Sequence, residues 1–362
     1  MSNLGRGHKQ KLNHHIHEMV LPRKVIVGER MIEKLPEVDE KLGEKRKILI
    51  ITGPNIFKTI GRELEKGWGD NQEIRLEFSG EATMGEVGRL AKIAGVEGSE
   101  VILGVGGGRV IDLAKMVAFK LNMDFISVPT AASHDGISSQ FASIRDGKRA
   151  YSYVTKPPRS VIVDIDVVAR APARLTASGV GDAIAKIIAV RDWRLAHERE
   201  GEYFGDYAAQ LALMGADLVA RNTGGIGRSE RESIRTLVEA LISDGVAAGI
   251  AGSSRPCSGS EHLFSHALDI YSDQHALHGE QCGVGAIIMA QLHGLSYDEI
   301  RDTLKRAGSP TNAGELGISE KNIVKALTLA STIRPERYTV LNEEKLDEER
   351  ALRLAKETEV IG

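Results

Sequence analysis

Two histidines four residues apart, His262 and His266, stand in the run Glu261-His262-Leu263-Phe264-Ser265-His266. On a helix that spacing turns both rings to one face. A third, His278, follows in Leu277-His278-Gly279-Glu280, beyond a loop and just before a glycine, a position that can turn its ring back toward that face. Asp182, in Gly179-Val180-Gly181-Asp182-Ala183-Ile184-Ala185-Lys186, would add a carboxylate from another helix. One aspartate with two or three histidines and no thiolate suits Zn²⁺ or Fe²⁺ with a coordination position left for water or substrate. Spacing alone leaves blander readings open: a histidine pair at the surface or satisfied in a core, and an aspartate that caps a helix start.

The second chemical element is Gly104-Val105-Gly106-Gly107-Gly108-Arg109-Val110-Ile111-Asp112-Leu113-Ala114-Lys115. The apolar run Val101-Ile102-Leu103 before it reads as a buried strand, and Val110, Leu113, Ala114 and Val117 after it recur at helical spacing. A strand, a glycine turn and a helix start place free backbone N–H groups and the positive end of a helix dipole where a phosphate can sit. No Gly-Lys-Ser/Thr follows, so this is not a Walker A loop, and no acidic residue stands in the register of a GxGxxG fingerprint. A tight turn without a ligand stays possible at this level.

Strands and helices must alternate to hold that turn. Strand patterns fall at 24–28, 47–51, 74–78, 101–103, 125–128 and 160–164, with helical patterns at 30–42, 56–66 and 84–94 and a hairpin within 143–160. Such alternation predicts a Rossmann-like parallel α/β sheet, whose ligands bind at the carboxyl ends of the strands. From about residue 170 the pattern is helical: 179–197, 206–221, 229–248, 260–271, 283–292, 297–307, 319–332 and 342–358, with Ser319 and Asn342 as N-caps. The expected organisation is a polar arm at 1–20, an α/β dinucleotide-binding domain at 21–169 and an all-helical metal and substrate domain at 170–362, with a cleft between the last two. The arm carries His8, His14, His15 and His17, read as solvated.

The totals exclude several classes. A formal charge of −3, a pI near 6.4 and 4% aromatic residues argue against a nucleic-acid surface. Two cysteines, Cys257 and Cys282, cannot build a disulfide framework and fit a reducing compartment. The basic start lacks an apolar signal core and no stretch approaches a membrane span, so a cytoplasmic protein is expected.

Taken together, GGGRVIDLAK, GDAIAK, HxxxH and HGE resemble the iron- or zinc-dependent polyol and alcohol dehydrogenase superfamily, which shares its fold with dehydroquinate synthase. Within it, PTAASHDGISS, the VRDW of 190–193 and the RPERYTVL of 334–341 are similar to archaeal-type sn-glycerol-1-phosphate dehydrogenases. The resemblance runs from about residue 20 to the end, with the motifs in order. It implies NAD(H) or NADP(H) on Gly106, Gly107, Gly108, Arg109, Val110, Ile111 and Asp112, and on Thr130, Ala131, Ala132, Ser133 and Ser139, with Asn55 toward the adenosine. It implies one divalent metal, Zn²⁺ foremost, on Asp182, His262 and His278. Asp135 and His266 are implied as catalytic and substrate-contacting residues, and Asp182 as contacting substrate too. No carboxylate ends the second strand, where Thr52-Gly53-Pro54-Asn55 stands, which leaves room for either cofactor. The implied reaction is reduction of dihydroxyacetone phosphate to sn-glycerol 1-phosphate, the backbone of archaeal ether lipids, in a homo-oligomer. Lys148, Arg149, Lys156 and Lys186 are the basic candidates for the phosphate. Glycerol dehydrogenase and a dehydroquinate synthase-like lyase are the alternatives.

Overall fold

Aliphatic and β-branched runs build the centre of the molecule. Ile48 and Ile50 pack on one face of the sheet and Leu49 and Ile51 on the other, the two-residue period of a strand covered on both sides. The computed structural model describes residues 17–362 apart from 45, 67, 69–72 and 148. The chain opens with β1 (Lys24–Gly28), the short helices α1 (Leu35–Val38) and α2 (Glu40–Gly43), β2 (Lys47–Thr52), α3 (Pro54–Lys66), β3 (Glu73–Phe78) and α4 (Met84–Glu97). β4 (Val101–Gly106), α5 (Gly108–Leu121) and β5 (Asp124–Pro129) follow. Next come the antiparallel hairpin β6 (Phe141–Asp146) and β7 (Arg149–Val154), then β8 (Ser160–Asp164) and α6 (Ile165–Val168). Six strands form one parallel sheet in the order β1-β8-β5-β4-β2-β3. The glycine turn therefore leaves a central strand, with Val105 beside Thr52 on one side and Val128 on the other.

The remainder is helical: α7 (Ala173–Glu200), α8 (Asp206–Gly227), α9 (Arg231–Ala251), α10 (Ser260–Tyr271), α11 (His278–Leu292), α12 (Tyr297–Arg306), α13 (Ala313–Leu316), α14 (Glu320–Leu329), α15 (Val340–Glu343) and α16 (Glu348–Glu357). One hydrophobic cluster joins the two parts, with Ala132, Val161, Val163 and Ile165 packed in the same core as Ile184, Leu241, Phe264 and Ile287. No helix among the described residues is long and apolar enough to cross a membrane.

Three expectations change. The helix expected over 30–42 is broken, because Pro36 fits only a first turn and Asp39 is extended, capping α2 through the Lys41 N–H. Asn342 does not cap a long last helix. It sits inside α15, which starts after Thr339, and Asp347 caps α16. α7 begins well before Gly179, so Asp182 lies inside a helix and the capping role falls away.

Candidate functional site

The chemistry-bearing residues come from three helices. α7 supplies Asp182, α10 supplies His262, and α11 supplies His278 with Cys282 one turn further on. One potential ligand atom from each of the four lies within 4.8 Å of all the others. The approach depends on missing side chains: a Cβ on Gly181 would fall 2.1 Å from the Gly279 carbonyl oxygen, so α7 and α11 cross here with almost no space between backbones. His278 is the first residue of α11 and not part of the preceding loop. Cys282 stands beside the three donors expected from the sequence as a further potential ligand. Its i,i+4 relation to His278 was visible, but a cysteine in an apolar helix reads equally as core.

Around this cluster the imidazoles are held in ligand-ready form. The Nδ1 of His262 is hydrogen-bonded to Glu261 Oε1 at 2.6 Å, and its Nε2 lies 3.7 Å from Asp182 Oδ1. A carboxylate behind a histidine fixes ring orientation at metal centres. Burial, then the neighbouring charge, pushes His262 and His266 well below the ordinary histidine range. Burial also lowers His278, against the pull of Asp182. Burial and the charge of Asp192 lift the Glu261 carboxyl to about 8, and burial raises the Cys282 thiol. Neutral imidazoles and one buried carboxylate in such proximity fit a divalent cation.

Asp182 is tied to a second group. Lys186 Nζ lies 2.8 Å from Asp182 Oδ1 and 2.9 Å from Asp135 Oδ2, and the Asp135 N–H donates to Asp182 Oδ2 at 2.8 Å. Burial opposes the charge on Lys186, but Asp135 and Asp182 outweigh it and raise its pKa. For Asp135, burial works upward, yet the Lys186 charge and hydrogen bond prevail and keep it below the usual carboxylate range. Lys186 thus has no exposed charge for a phosphate, which corrects that candidate. Lys156 is corrected as well. It donates to Asn122 Oδ1 and lines a separate cavity of about 200 Å³. Lys148 and the Arg149 side chain lie outside the described residues, as do His8, His14 and His15. His17 is hydrogen-bonded to the Ile250 carbonyl at 2.6 Å.

The glycine turn meets the helical cluster across a cleft of about 460 Å³. Its walls include Gly108, Arg109 and Asp112 on one side, and His262, His266 and His278 on the other, with Asp135 and Ser139 between. Gly107 is the extended N-cap of α5, and a Cβ there would meet open space. At Gly108 a Cβ would fall 1.8 Å from His134 Nε2, so the His134 ring lies directly over the helix start. His134 received no role from the sequence, although its motif was singled out. The buried Thr130 hydroxyl has no partner, the kind of polar atom a bound cofactor would satisfy. Val110, Ile111, Ala131 and Ala132 bury their side chains in the core, which leaves only their backbone to offer a ligand. Arg109 pairs with Glu81, and Asp112 accepts from the Ser143 N–H. Asn55 is exposed at the start of α3, beyond the end of the neighbouring β2, and is not among the cleft residues. Arg334 also lines the cleft and was missed as a site residue.

Comparison with known proteins bears on the family and the fold. A family model described as iron-containing alcohol dehydrogenase matches residues 26–172. The glycerol-1-phosphate dehydrogenase (NAD(P)+) of Thermococcus kodakarensis is 50% identical over 347 residues, covering 96% of this chain and 99% of the relative. That of Thermococcus sibiricus is 49% identical over 346 residues, with 96% and 99% covered. Among solved structures, a probable glycerol dehydrogenase from Sinorhizobium meliloti superposes with a TM-score of 0.78 at 21% identity, over 96% of this chain and 100% of the other, a likeness of fold. By the extent and identity of its full-length relatives, the chain belongs to the glycerol-1-phosphate dehydrogenase family.

Proposed function

We propose that the protein reduces dihydroxyacetone phosphate to sn-glycerol 1-phosphate with NADH or NADPH and one divalent metal, Zn²⁺ foremost. One observation carries the reading: a single cleft brings a dinucleotide-type glycine turn against a cluster of one carboxylate and neutral imidazoles. When bound, a reduced nicotinamide supplies a hydride and a divalent cation polarises the ketone oxygen as a Lewis acid. Asp182, His262 and His278 would hold the cation. Gly107, Gly108 and the start of α5 would hold the dinucleotide pyrophosphate, with Thr130 and Ser139 beside it. Asp135, kept ionised by Lys186, accepts a hydrogen bond from a substrate hydroxyl and orients the carbonyl. His266 lines the same space, and its imidazole can relay the proton that the reduced oxygen takes up. The balance is one ketone, one hydride and one proton to one alcohol.

The product serves as the glycerol backbone of ether lipids in this reading. A cytoplasmic location is supported by two free cysteines, and assembly into a homo-oligomer by the apolar residues Tyr207, Met214 and Leu218 exposed on α8. The test is oxidation of NADH and NADPH with dihydroxyacetone phosphate and, separately, with dihydroxyacetone, before and after chelation. The expected result is turnover of the phosphate ester, lost with chelator and restored by Zn²⁺. Preference for the unphosphorylated ketone would mean a glycerol dehydrogenase, and turnover of neither would reject a dehydrogenase.

A further inference from the structure

Of the arginines that line the cleft, Arg109 pairs with Glu81, whereas Arg145 on β6 and Arg334 have no ion pair among the described residues, and Arg334 is the one whose charge acts on the His266 imidazole. Arg334 follows the turn at Ala330–Thr332 and lines the cavity together with Ser254, Ser258 and His266. Its carbonyl accepts from the Arg337 N–H at 2.9 Å, but its guanidinium makes no hydrogen bond or ion pair among the described residues. Its neighbours are committed elsewhere. Arg255 pairs with Glu202 and donates to the Tyr338 carbonyl, and Arg337 donates to the Ser258 carbonyl and the Ser254 hydroxyl. Glu202 is the only carboxylate paired with these three guanidinium groups among the described residues. Asp269 lines the cavity too, but it is not paired with Arg334. The result is a wall with an excess of positive charge, which Glu202 and Glu336 offset only in part, and burial with the charges of Arg334 and Arg255 pushes Arg337 down to about 9. This wall bears on the substrate side of the cleft, because Arg334 acts electrostatically on His266, whose ring stacks 6.0 Å from that of His278.

We propose that Arg334 anchors the phosphate group of the substrate, with the Ser254 and Ser258 hydroxyls beside it. This rests on the reading of the cleft as a ketone-reducing site and adds the group that makes it select a phosphorylated substrate. A guanidinium presents a planar fork of donors that matches a phosphate, and here no carboxylate among the described residues lies within ion-pair distance of it, although Glu336 acts on it from further away. The pyrophosphate of the cofactor has its own cradle at the glycine turn, so the two anions need not share a site.

The experiment compares wild type with Arg334→Gln and Arg334→Lys. Arg334→Gln is expected to lower kcat/KM for dihydroxyacetone phosphate by about 10- to 100-fold, the effect of a lost charge-assisted hydrogen bond, mainly through KM. The value for unphosphorylated dihydroxyacetone falls far less, and Arg334→Lys recovers part of the loss. Equal losses on both ketones would overturn the proposal. So would a change confined to the KM for NADPH, which would assign the residue to the cofactor's 2′-phosphate. If wild type reduced neither ketone, the enzymatic reading would fail while the anion site would still be decided by inorganic phosphate. Phosphate that raises the unfolding temperature of wild type and not of Arg334→Gln supports the anchor, and an equal rise in both refutes it.

Discussion

At the residue scale, the arrangement turns on one buried ammonium between a buried carboxylate and a partly buried one. Lys186 and Asp182 are essentially inaccessible, and Asp135 is only partly exposed to the cleft. Removing the positive partner leaves two negative groups facing each other in a medium that screens them poorly. Lys186→Met is therefore expected to destabilise the metal-free protein by about 3–5 kcal/mol. Urea unfolding of the chelated protein measures it, and a loss below about 1 kcal/mol would show that Lys186 is not the compensating charge. Lysine at this position also shows how a correct motif can carry an incorrect residue role. The i,i+4 spacing of Asp182 and Lys186 was visible in GDAIAK, yet a lysine is ordinarily a solvated surface group, and only the packing of α7 reveals that this one is enclosed.

At the element scale, the glycine turn was legible because a buried strand, a run of glycines and an amphipathic helix each leave a local pattern. The parallel sheet followed from alternation for the same reason, and the shared face of His262 and His266 from their i,i+4 spacing, whereas the choice of His262 and His278 as proposed metal ligands came from the resemblance. What stayed hidden was set by contacts between distant segments: Cys282 beside His278 and Asp182, Arg334 on the cleft wall, and His134 over the start of α5. The last has a measurable consequence. An alanine at Gly108 would place its methyl 1.8 Å from the present position of His134 Nε2, so the imidazole must leave the helix start or the turn must open. Gly108→Ala is expected to raise the Kd for NADH and NADPH by on the order of tenfold, since the backbone N–H groups at that point form the proposed anion cradle. Fluorescence titration with either cofactor checks this, and unaltered binding would place the pyrophosphate elsewhere.

At the scale of the whole molecule, the question is whether the sheet and the helical part behave as one unit. Sequence composition suggested a boundary near residue 170, where strand patterns stop. The largest hydrophobic cluster nevertheless crosses it, packing Val161, Val163 and Ile165 against residues of the helical part such as Ile184, Leu241 and Phe264. The cleft also depends on both parts, because Asp135 from the segment after β5 bonds to Asp182 of α7. A shared core of this kind predicts coincident unfolding, and the chain contains natural reporters for both halves. Trp68 packs at the edge of the core beneath the sheet, and Trp193 is buried among α7, α8 and α9. In Trp193→Phe the remaining indole reports the α/β part, and in Trp68→Phe it reports the helical part. Each variant's fluorescence transition in urea is expected to overlay that variant's own far-ultraviolet circular dichroism, with and without Zn²⁺. Added metal should move all these transitions together, because an ion that binds only the folded state stabilises by mass action whatever unit it belongs to. An early Trp68 transition, or a metal shift seen at Trp193 alone, would mean that the two parts fold independently and that the cleft closes between separate domains.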